Sequence, residues 1–541
     1  MTRKLFILFI LLTSIITLCP SCADRGNIPI SRREFESTGT LRLAIPNTPE
    51  SLDPRHVRVN STVTVMHLLY EGLMRLDYHD KLNYGVAEHV DVSDDRTTYT
   101  FRLRNAYWSN GDPLTAEDFV RSWKEAIVSA SAQPATFYFD VIKGAKEHRK
   151  NKTSGTSLGL TAVDPHTLKV ELEQPVPFFT KLIASHYFFP VHRTTTPLTI
   201  DVIGNGPFQL QDWDDQDMLT FVPNANYWDR ENVQLGALTL STMDNETAVK
   251  DFLFGKLDWA GSPTGMISPD QVKTLKGQKL ITLYPASAVH LLRFNTAAHP
   301  FDQEKMRRAF GLAIDRKRLI FEVFKGESTP ALGLVPPNYR LQPAPYYADG
   351  DLTMAWELFQ SAITDMGIDK EDLPEIAICY MDTPIHRQVA ENIRSQWENA
   401  FEIPISLHPC TQYPYFKNLS EGKFGVSLGS WYADTQDPVD FLDLFQFKDN
   451  PMNGTSWEDQ QYQQLLSDAQ KARSVEERNA ALSKAEQRLM TAMPVVPLYH
   501  PYFFSMKKNN VLGVYFSDLG YLDFKYAFID DDDIDELISA D

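Results

Sequence analysis

An uncharged apolar run at the amino terminus decides where the rest of this chain must fold. Arg3 and Lys4 form a short basic start, and residues 5–18 follow without a charged side chain. As a helix, this run would measure about 21 Å, which is shorter than the roughly 30 Å apolar core of a bilayer. Its length and its basic start are those of an export signal, not of a membrane-spanning helix. The sequence therefore predicts a protein that works outside the cytoplasm.

The predicted signal ends at Cys22, which directly follows the small residue Ser21. This arrangement resembles the processing site of bacterial lipoproteins, whose new amino-terminal cysteine is acylated. Pro20 and Cys19 depart from that pattern, so a plain secretory cleavage with Cys22 unmodified stays as the alternative. We assign residues 1–22 to the signal, residues 23–40 to a flexible tether, and Cys22 to lipidation.

Length and charge limit the classes of protein that the rest can form. About 519 residues remain after Cys22, too many for one hydrophobic core, so two or more lobes are expected. The net charge of -19 repels phosphate backbones and anionic head groups, which argues against a nucleic-acid or lipid-surface partner. Residues 529–541 are strongly acidic and are predicted to be a disordered tail. Cys379 and Cys410 could pair in an oxidising compartment.

Periodic patterns predict two kinds of lobe. Residues 208–213 and 218–222 alternate apolar and polar side chains around a turn and predict a hairpin. Residues 306–324 predict one long helix. Strands at 376–380 and 403–407 flank a helical pattern at 385–400, which is the spacing of a parallel pair with a crossover helix. A β-richer α+β lobe followed by an α/β lobe is the expected organisation.

One catalytic pattern occurs. Residues 425–429 match the nucleophile-elbow formula around Ser427, and Asp434 and His500 follow in hydrolase order. An elbow requires a helix directly after the serine, whereas the residues after Ser427 predict a strand or loop. No metal-ligand spacing, phosphate loop or dinucleotide motif is present. The sequence therefore predicts a protein that is not an enzyme and needs no cofactor or metal, with a secreted serine hydrolase as a weaker alternative.

Many short motifs in one order resemble the family 5 solute-binding proteins of ABC importers, in particular their oligopeptide-binding branch. The resemblance runs from about residue 40 to residue 525. Its signature region is the stretch at 108–119, which begins Trp-Ser-Asn-Gly-Asp-Pro. The other matching segments are 51–54, 69–73, 99–104, 204–208, 226–228, 294–295 with Phe301 and Ala309, 313–316, 431–434 and 495–499.

The resemblance implies a fold, a location and partners. The fold is α/β and α+β: a two-lobed periplasmic-binding-protein-like fold of type II, cluster C, with an extra subdomain in the first lobe. Ligand would be held between the lobes and delivered to a membrane permease, by a lipid-anchored monomer in the periplasm or on the outer face of the cell membrane. We expect the first lobe at 41–67, 192–285 and 502–528, the extra subdomain at 68–191 and the second lobe at 286–501.

The resemblance also implies a site for short peptides. Asp434 matches the aspartate that pairs with the ligand α-amino group, and Trp431 and Tyr432 are expected to shape the neighbouring pocket. Backbone at 58–61, including Arg58 and Asn60, and at 429–432 is expected to pair with the peptide amides by strand addition.

Some residues depart from the peptide-binding relatives. Near Leu419 and at Leu428 those relatives carry basic residues, whereas Arg58 and Arg293 stand where they often have glutamate. If both arginines face the cleft, cationic side chains would be disfavoured, and neutral or acidic ligands, including peptides released from the cell wall, would be preferred. His386 matches a position that can meet the ligand carboxylate. Alternatives are a murein-peptide, nickel, haem or sugar binder of the same family, and a surface adhesion or signalling protein.

Overall fold

The computed structural model describes residues 39–57, 59–77, 81–128, 134–151, 158–194, 201–214, 217–450, 452–472 and 474–530. All of them belong to one compact unit, Ser37–Asp541. The predictions for the signal with Cys22, for the tether up to residue 38, for Arg58 and for residues 531–541 of the tail lie outside the described residues. Among the helices that are described, none is long and apolar enough to span a bilayer.

The strands are short and fall into several sheets. In chain order they are β1 (Thr40–Ile45), β2 (Met74–Leu76), β3 (Leu82–Tyr84), β4 (Ala87–Val92), β5 (Thr98–Leu103), β6 (Leu160–Asp164), β7 (Thr167–Glu171), β8 (Phe208–Trp213), β9 (Met218–Pro223), β10 (Ala237–Thr242), β11 (Trp259–Gly261), β12 (Thr282–Pro285), β13 (Ala288–Phe294), β14 (Thr329–Pro330), β15 (Ile376–Met381), β16 (Ile405–Cys410), β17 (Val426–Tyr432), β18 (Val495–His500), β19 (Tyr502–Lys507), β20 (Val511–Leu512), β21 (Tyr515–Phe516), β22 (Leu522–Asp523) and β23 (Phe528–Ile529).

The longer helices lie mostly in the second half of the chain. The α-helices are α1 (Asn60–Leu69), α2 (Ala116–Val128), α3 (Ala145–Asn151), α4 (Phe179–Leu182), α5 (Asn245–Leu253), α6 (Pro269–Gly277), α7 (Glu304–Leu312), α8 (Arg316–Phe324), α9 (Leu352–Met366), α10 (Pro384–Phe401), α11 (Gln412–Glu421), α12 (Val439–Leu442), α13 (Gln460–Lys471) and α14 (Val475–Ala492). Short 3₁₀ segments at Pro134–Val141 and His186–Phe188 also contribute to the site described below.

The first lobe is the part of the chain packed on one large apolar core, which runs from Leu41 to Trp259 and is rejoined by the chain at Val511 to Ala527. It contains a four-stranded sheet in the order β1-β10-β9-β8 and a second one in the order β4-β5-β7-β6. The hairpin predicted from residues 208–222 is confirmed, since β8 and β9 pair antiparallel. Alternate buried positions along β5 and β9 explain why the period-two pattern identified these strands.

The second lobe is built on a six-stranded sheet in the order β14-β18-β13-β17-β15-β16. Apolar side chains form one core on each face, and α10 connects β15 to β16, which pair in parallel. The predicted crossover unit is therefore confirmed, although β16 occupies Ile405–Cys410 and not 403–407. The two cysteines of this region lie on these neighbouring strands as free thiols, with Sγ atoms 3.5 Å apart.

The single helix predicted over residues 306–324 is wrong. The structure has two helices, α7 and α8, separated by three residues. Asp315 caps the second helix, because its carboxylate accepts the backbone N–H of Arg318 at 2.9 Å. An aspartate is favoured at such a cap and disfavoured inside a helix, so the break has a local cause that the apolar spacing concealed.

A buried cation holds the start of α8 to the sheet. The side chain of Arg316 is fully buried, and its guanidinium donates to the carbonyl oxygen of Pro497 at 2.7 Å and of Ile314 at 3.0 Å. It also pairs with the Asp349 carboxylate at 3.2 Å. A buried charge is tolerated only when its donors are used in this way.

We expect Arg316→Met to lower the free energy of unfolding by about 3–5 kcal/mol, because it leaves the mostly buried Asp349 carboxylate without its cation. Urea unfolding of the ligand-free protein measures this loss. The matched control is Arg318→Met on the same helix, whose exposed pair with Glu322 should contribute less than about 1 kcal/mol. Equal losses in the two variants would contradict this account of Arg316.

Candidate ligand-binding cavity

A cavity of about 200 Å³ lies where the end of β17 meets the first lobe. The second lobe contributes residues 432–436. The first lobe contributes the start of α1, including Asn60, together with residues 184–187 and Tyr521. Polar and aromatic groups from both lobes therefore enclose one small space.

Asp434 is the central anionic group of this cavity. Its Oδ2 accepts a hydrogen bond from the Tyr138 hydroxyl and its Oδ1 accepts one from Tyr187 at 3.4 Å. Both tyrosines belong to the first lobe, whereas Asp434 follows β17 in the second lobe. Burial raises the pKa of Asp434 to about 6, and the two hydroxyl donors oppose that rise. The accessible part of the carboxylate faces the cavity.

A second carboxylate, Asp440, holds the Asp434 turn in place. Its Oδ2 accepts the backbone N–H of Asp434 at 2.9 Å and of Thr435 at 2.6 Å. Its Oδ1 accepts the indole N–H of Trp431 at 3.1 Å. Burial and the nearby charge of Asp434 raise the pKa of Asp440 to about 7. The backbone bonds fix the direction in which Asp434 points.

This carboxylate pair has no cationic partner among the described residues, where neither Asp434 nor Asp440 forms an ion pair with lysine or arginine. Lys181 also lines the cavity without pairing with either. Two acidic groups close together in a desolvated place disfavour ionisation of both. A guest that brings a cation would reverse this penalty, so the cavity is chemically suited to an ammonium group.

Strand β17 leaves part of one edge open beside this cavity. On one side it pairs with β13 along Val426 to Tyr432, but on the other side β15 pairs only with Val426 to Leu428. The backbone N–H of Ala433 donates to the carbonyl oxygen of Ser287, on the β13 side of the strand. Because backbone groups alternate in direction along a strand, those of Tyr432 and Ser430 point the other way, toward the open edge. No strand of the described chain covers them.

Two histidines lie at the same end of the sheet. His386 is in the first turn of α10, where its Nδ1 lies 2.8 Å from the Thr383 hydroxyl while its buried Nε2 has no partner among the described residues. The ring of His290 stacks on Tyr499 with centroids 4.5 Å apart and lies 5.9 Å from that of His386. Burial lowers the pKa of both histidines, that of His290 to about 3, so both rings are neutral at pH 7.

The structure gathers some of the predicted site residues and separates others. Asp434, Tyr432 and Asn60 line the cavity. Trp431 does not line the cavity, but its indole N–H donates to the Asp440 carboxylate, which holds the Asp434 turn. Arg293 is buried at the opposite end of β13, and Arg58 is outside the described residues.

Three side chains that bond to Asp434 or its backbone were not predicted from the sequence: Tyr138, Tyr187 and Asp440. The tyrosines come from aromatic segments that look like core, and 296 and 247 residues separate them from Asp434. For Asp440, the only local signal was a second aspartate shortly after the Asp434 motif.

The three residues of the hydrolase alternative do not have the geometry of a catalytic triad. Ser427 is inside β17 and donates its hydroxyl to Tyr415 at 3.2 Å. His500 Nδ1 lies 3.0 Å from the carbonyl oxygen of Ala288, and Asp434 is bound by tyrosines. These three residues form no hydrogen bond with one another, and no helix follows Ser427 directly. Within the described chain, no group of three His, Cys, Asp or Glu side chains is placed to hold a metal ion.

Comparison with known proteins gives the class. The model of the bacterial extracellular solute-binding proteins, family 5, matches residues 81–453. The oligopeptide-binding protein OppA of Bacillus subtilis is 30% identical over 535 residues, covering 96% of this chain and 98% of that protein.

Two solved structures agree with this result. The murein tripeptide binding protein MppA of Escherichia coli has a TM-score of 0.75 at 28% identity, covering 91% of this chain and 98% of that one. Listeria monocytogenes OppA bound to peptide has a TM-score of 0.73 at 26% identity, covering 91% and 99%. The fold is thus that of the two-lobed solute-binding proteins. The chain belongs to family 5 of the bacterial extracellular solute-binding proteins.

The raised pKa of Asp434 predicts a pH effect. A carboxylate with a pKa of about 6 in the folded protein and 3.8 ordinarily binds more protons when folded, so its contribution to stability is complete below about pH 4 and is lost as the pH rises through 6. Ligand-free Asp434→Asn should therefore match the parent protein near pH 4 and melt at a higher temperature at pH 7. Calorimetry from pH 4 to 8 measures this difference.

The control for this experiment is Asp94→Asn, which changes an exposed aspartate of the first lobe. We expect its melting curve to follow that of the parent protein at every pH. A difference between parent and Asp434→Asn that shrinks as the pH rises would contradict the assignment.

Proposed function

We propose that this protein captures short peptides with a free α-amino group and delivers them to an ABC permease, without catalysing a reaction on them. The observation that carries the proposal is the buried pair of Asp434 and Asp440, which has no cation among the described residues. An α-ammonium group beside Asp434 would allow that carboxylate to ionise and would form charge-assisted hydrogen bonds with it.

The open edge of β17 supports a peptide over other amine-bearing solutes. Unpaired backbone groups at Ser430 and Tyr432 match the amide groups of an extended chain. A peptide whose amine is at Asp434 can run along this edge toward Gly429. Main-chain pairing does not depend on side-chain identity, so broad sequence tolerance follows. The peptide-binding relatives named above are consistent with this class of ligand.

Closure of the lobes follows from the same contacts. Tyr138 and Tyr187 reach Asp434 from the opposite lobe, so the carboxylate is satisfied only when the lobes are together. A ligand amine adds a further partner in that state. The ligand therefore stabilises the closed form by the difference in its affinity for the two states, and the closed form is what the permease would receive.

The amine contact is tested with Asp434→Asn. Truncating one partner of a buried charge pair weakens binding by about 30-fold or more. We expect this loss for a free-amine peptide by isothermal titration, but little loss for the same peptide acetylated at its amino terminus, which should bind both proteins weakly. The control variant is Asp443→Asn, since Asp443 is a buried aspartate of the second lobe that does not line the cavity. Unchanged peptide affinity in Asp434→Asn would refute the proposal.

The boundaries of the two lobes and of the extra subdomain are also our proposal. We assign residues 68–191 to an extra subdomain of the first lobe. The support is that its buried residues, such as Phe101 and Trp123, belong to the same apolar core as β1 and β8. The other bounds proposed from the sequence are kept, with one correction: the acidic tail was predicted to be disordered from residue 529, but Ile529 belongs to β23 and pairs with Val511. We further propose that the protein acts as a monomer, since binding and closure need only its own two lobes.

We also propose that Cys22 is acylated and that the chain between Cys22 and β1 tethers the protein to the membrane; the tether ends before Thr40, which belongs to β1. The support is the export signal and the small residue before Cys22. Cys22→Ala should release the protein from the membrane fraction and abolish incorporation of a labelled fatty acid. Ser21→Ala, which keeps a small residue there, is the control and should stay labelled. Membrane retention or labelling of Cys22→Ala would contradict the anchor.

A further inference from the structure

Three arginines of the second lobe are buried, and two of them have their donors used. Arg316 pairs with Asp349 and several carbonyl oxygens, as described above. Arg307 donates to the carbonyl oxygens of Ala492 at 3.0 Å and Phe301 at 2.8 Å. Both side chains are therefore structural. The third is Arg293, on β13.

Arg293 differs because it has no acceptor. Its side chain is 2% exposed, its Nε is buried without a partner, and none of its nitrogens hydrogen-bonds to a described residue. The neighbouring Tyr415 hydroxyl already donates to the Leu428 carbonyl at 2.9 Å and accepts from Ser427. A buried guanidinium without an anion is strongly unfavourable. The site is therefore incomplete.

Two glycines show where this guanidinium lies. Its Nη1 would be 3.0 Å from a Cβ atom placed on Gly429, and its Cδ would be 3.5 Å from one on Gly454. A side chain at Gly429 would crowd both the arginine and the Tyr415 hydroxyl, so this glycine leaves the guanidinium room, whereas Gly454 only borders the arginine stem at an ordinary contact distance. Gly429 is also the first residue of the open edge of β17. The cation thus lies at one end of that edge, and Asp434 follows its other end.

The spacing of the two charges fits an extended peptide. Asp434 comes five positions after Gly429, which at about 3.3 Å per residue is about 17 Å. A peptide with its amine at Asp434 would bring a group of its fourth or fifth residue to Gly429. The acceptor that suits a guanidinium best is a carboxylate, which can accept two parallel N–H bonds.

We propose that Arg293 receives a carboxylate of the bound peptide, so that the cleft selects short peptides with an acidic group about four residues from the amine. This inference rests on the proposed function and adds to it a preference among peptide ligands. The carboxylate is either the carboxyl terminus or an acidic side chain. Both have the same chemistry, and the experiment below distinguishes them.

The test compares matched peptides by isothermal titration. A five-residue peptide with glutamate at position four is measured as it is, with that glutamate replaced by glutamine, and with its carboxyl terminus amidated. In the parent protein, one of the two neutral forms should bind about 30-fold more weakly or worse, and which of them does so identifies the source of the carboxylate. In Arg293→Met, the three forms should bind within about threefold of one another.

Controls separate this contact from general charge effects and from folding. Arg318→Met removes an exposed arginine of α8 and should keep the full discrimination of the parent. Ligand-free Arg293→Met should melt at or above the temperature of the parent, because it removes an unpaired buried charge. Arg316→Met should melt below it. The peptide series in the parent protein is informative even if Arg293→Met does not fold.

Several results would overturn the inference. One is equal binding of all three peptides to the parent protein. Another is discrimination that persists in Arg293→Met. A third is stabilisation of the ligand-free parent by inorganic phosphate, lost in Arg293→Met, without any dependence on peptide carboxylates; Arg293 would then hold a small inorganic anion. If the parent binds no peptide at all, the proposed function fails as well, whereas the other results leave it intact.

Discussion

The arrangement of the site depends on one electrostatic conflict, the enclosure of Asp434 and Asp440 together without a cation among the described residues. Burial raises the pKa of both carboxylates, and the charge of Asp434 raises that of Asp440 further. Hydrogen bonds from Tyr138, Tyr187 and backbone N–H groups offset only part of that cost. A positively charged guest would remove the conflict, and this geometry therefore supports the proposed amine-bearing ligand.

The conflict also couples recognition to motion. The acid is supplied by the second lobe, while the tyrosine hydroxyls that reach it come from the first. Separation of the lobes would return Asp434 to water and restore its ordinary ionisation. On the proposed function, closure would replace the water around Asp434 by two tyrosine hydroxyls and the ligand amine, and only the amine would contribute a full opposite charge. In such a cleft the closed state would be only slightly favoured without ligand and strongly favoured with ligand bound. A transport protein that must later release its ligand requires this difference.

The sequence predicted those features that are encoded locally. The parallel pair β15–β16 followed from apolar periodicity and spacing. Asp434 was singled out from a short motif, and the structure places it in the lining of the cavity, while its role stays a proposal. The break between α7 and α8 was missed because an apolar stripe continues across Asp315, whose role as a cap is visible only in the backbone. Tyr138 and Tyr187 were missed for another reason. Each reaches Asp434 across more than two hundred residues of chain, and no local pattern distinguishes an aromatic residue of a core from one at a cavity.

Opposite charges at the two ends of the open edge of β17 would give a bound peptide a direction. Main-chain pairing alone accepts a chain running either way along Ser430 and Tyr432, because the backbone groups of a strand repeat. The carboxylate of Asp434 attracts an amine, whereas the guanidinium of Arg293 repels one. A reversed peptide would place like charges together at both ends, in an enclosure where such contacts are least screened. Two side chains would then set the orientation of the peptide, and the side-chain pockets between them would be free to stay permissive.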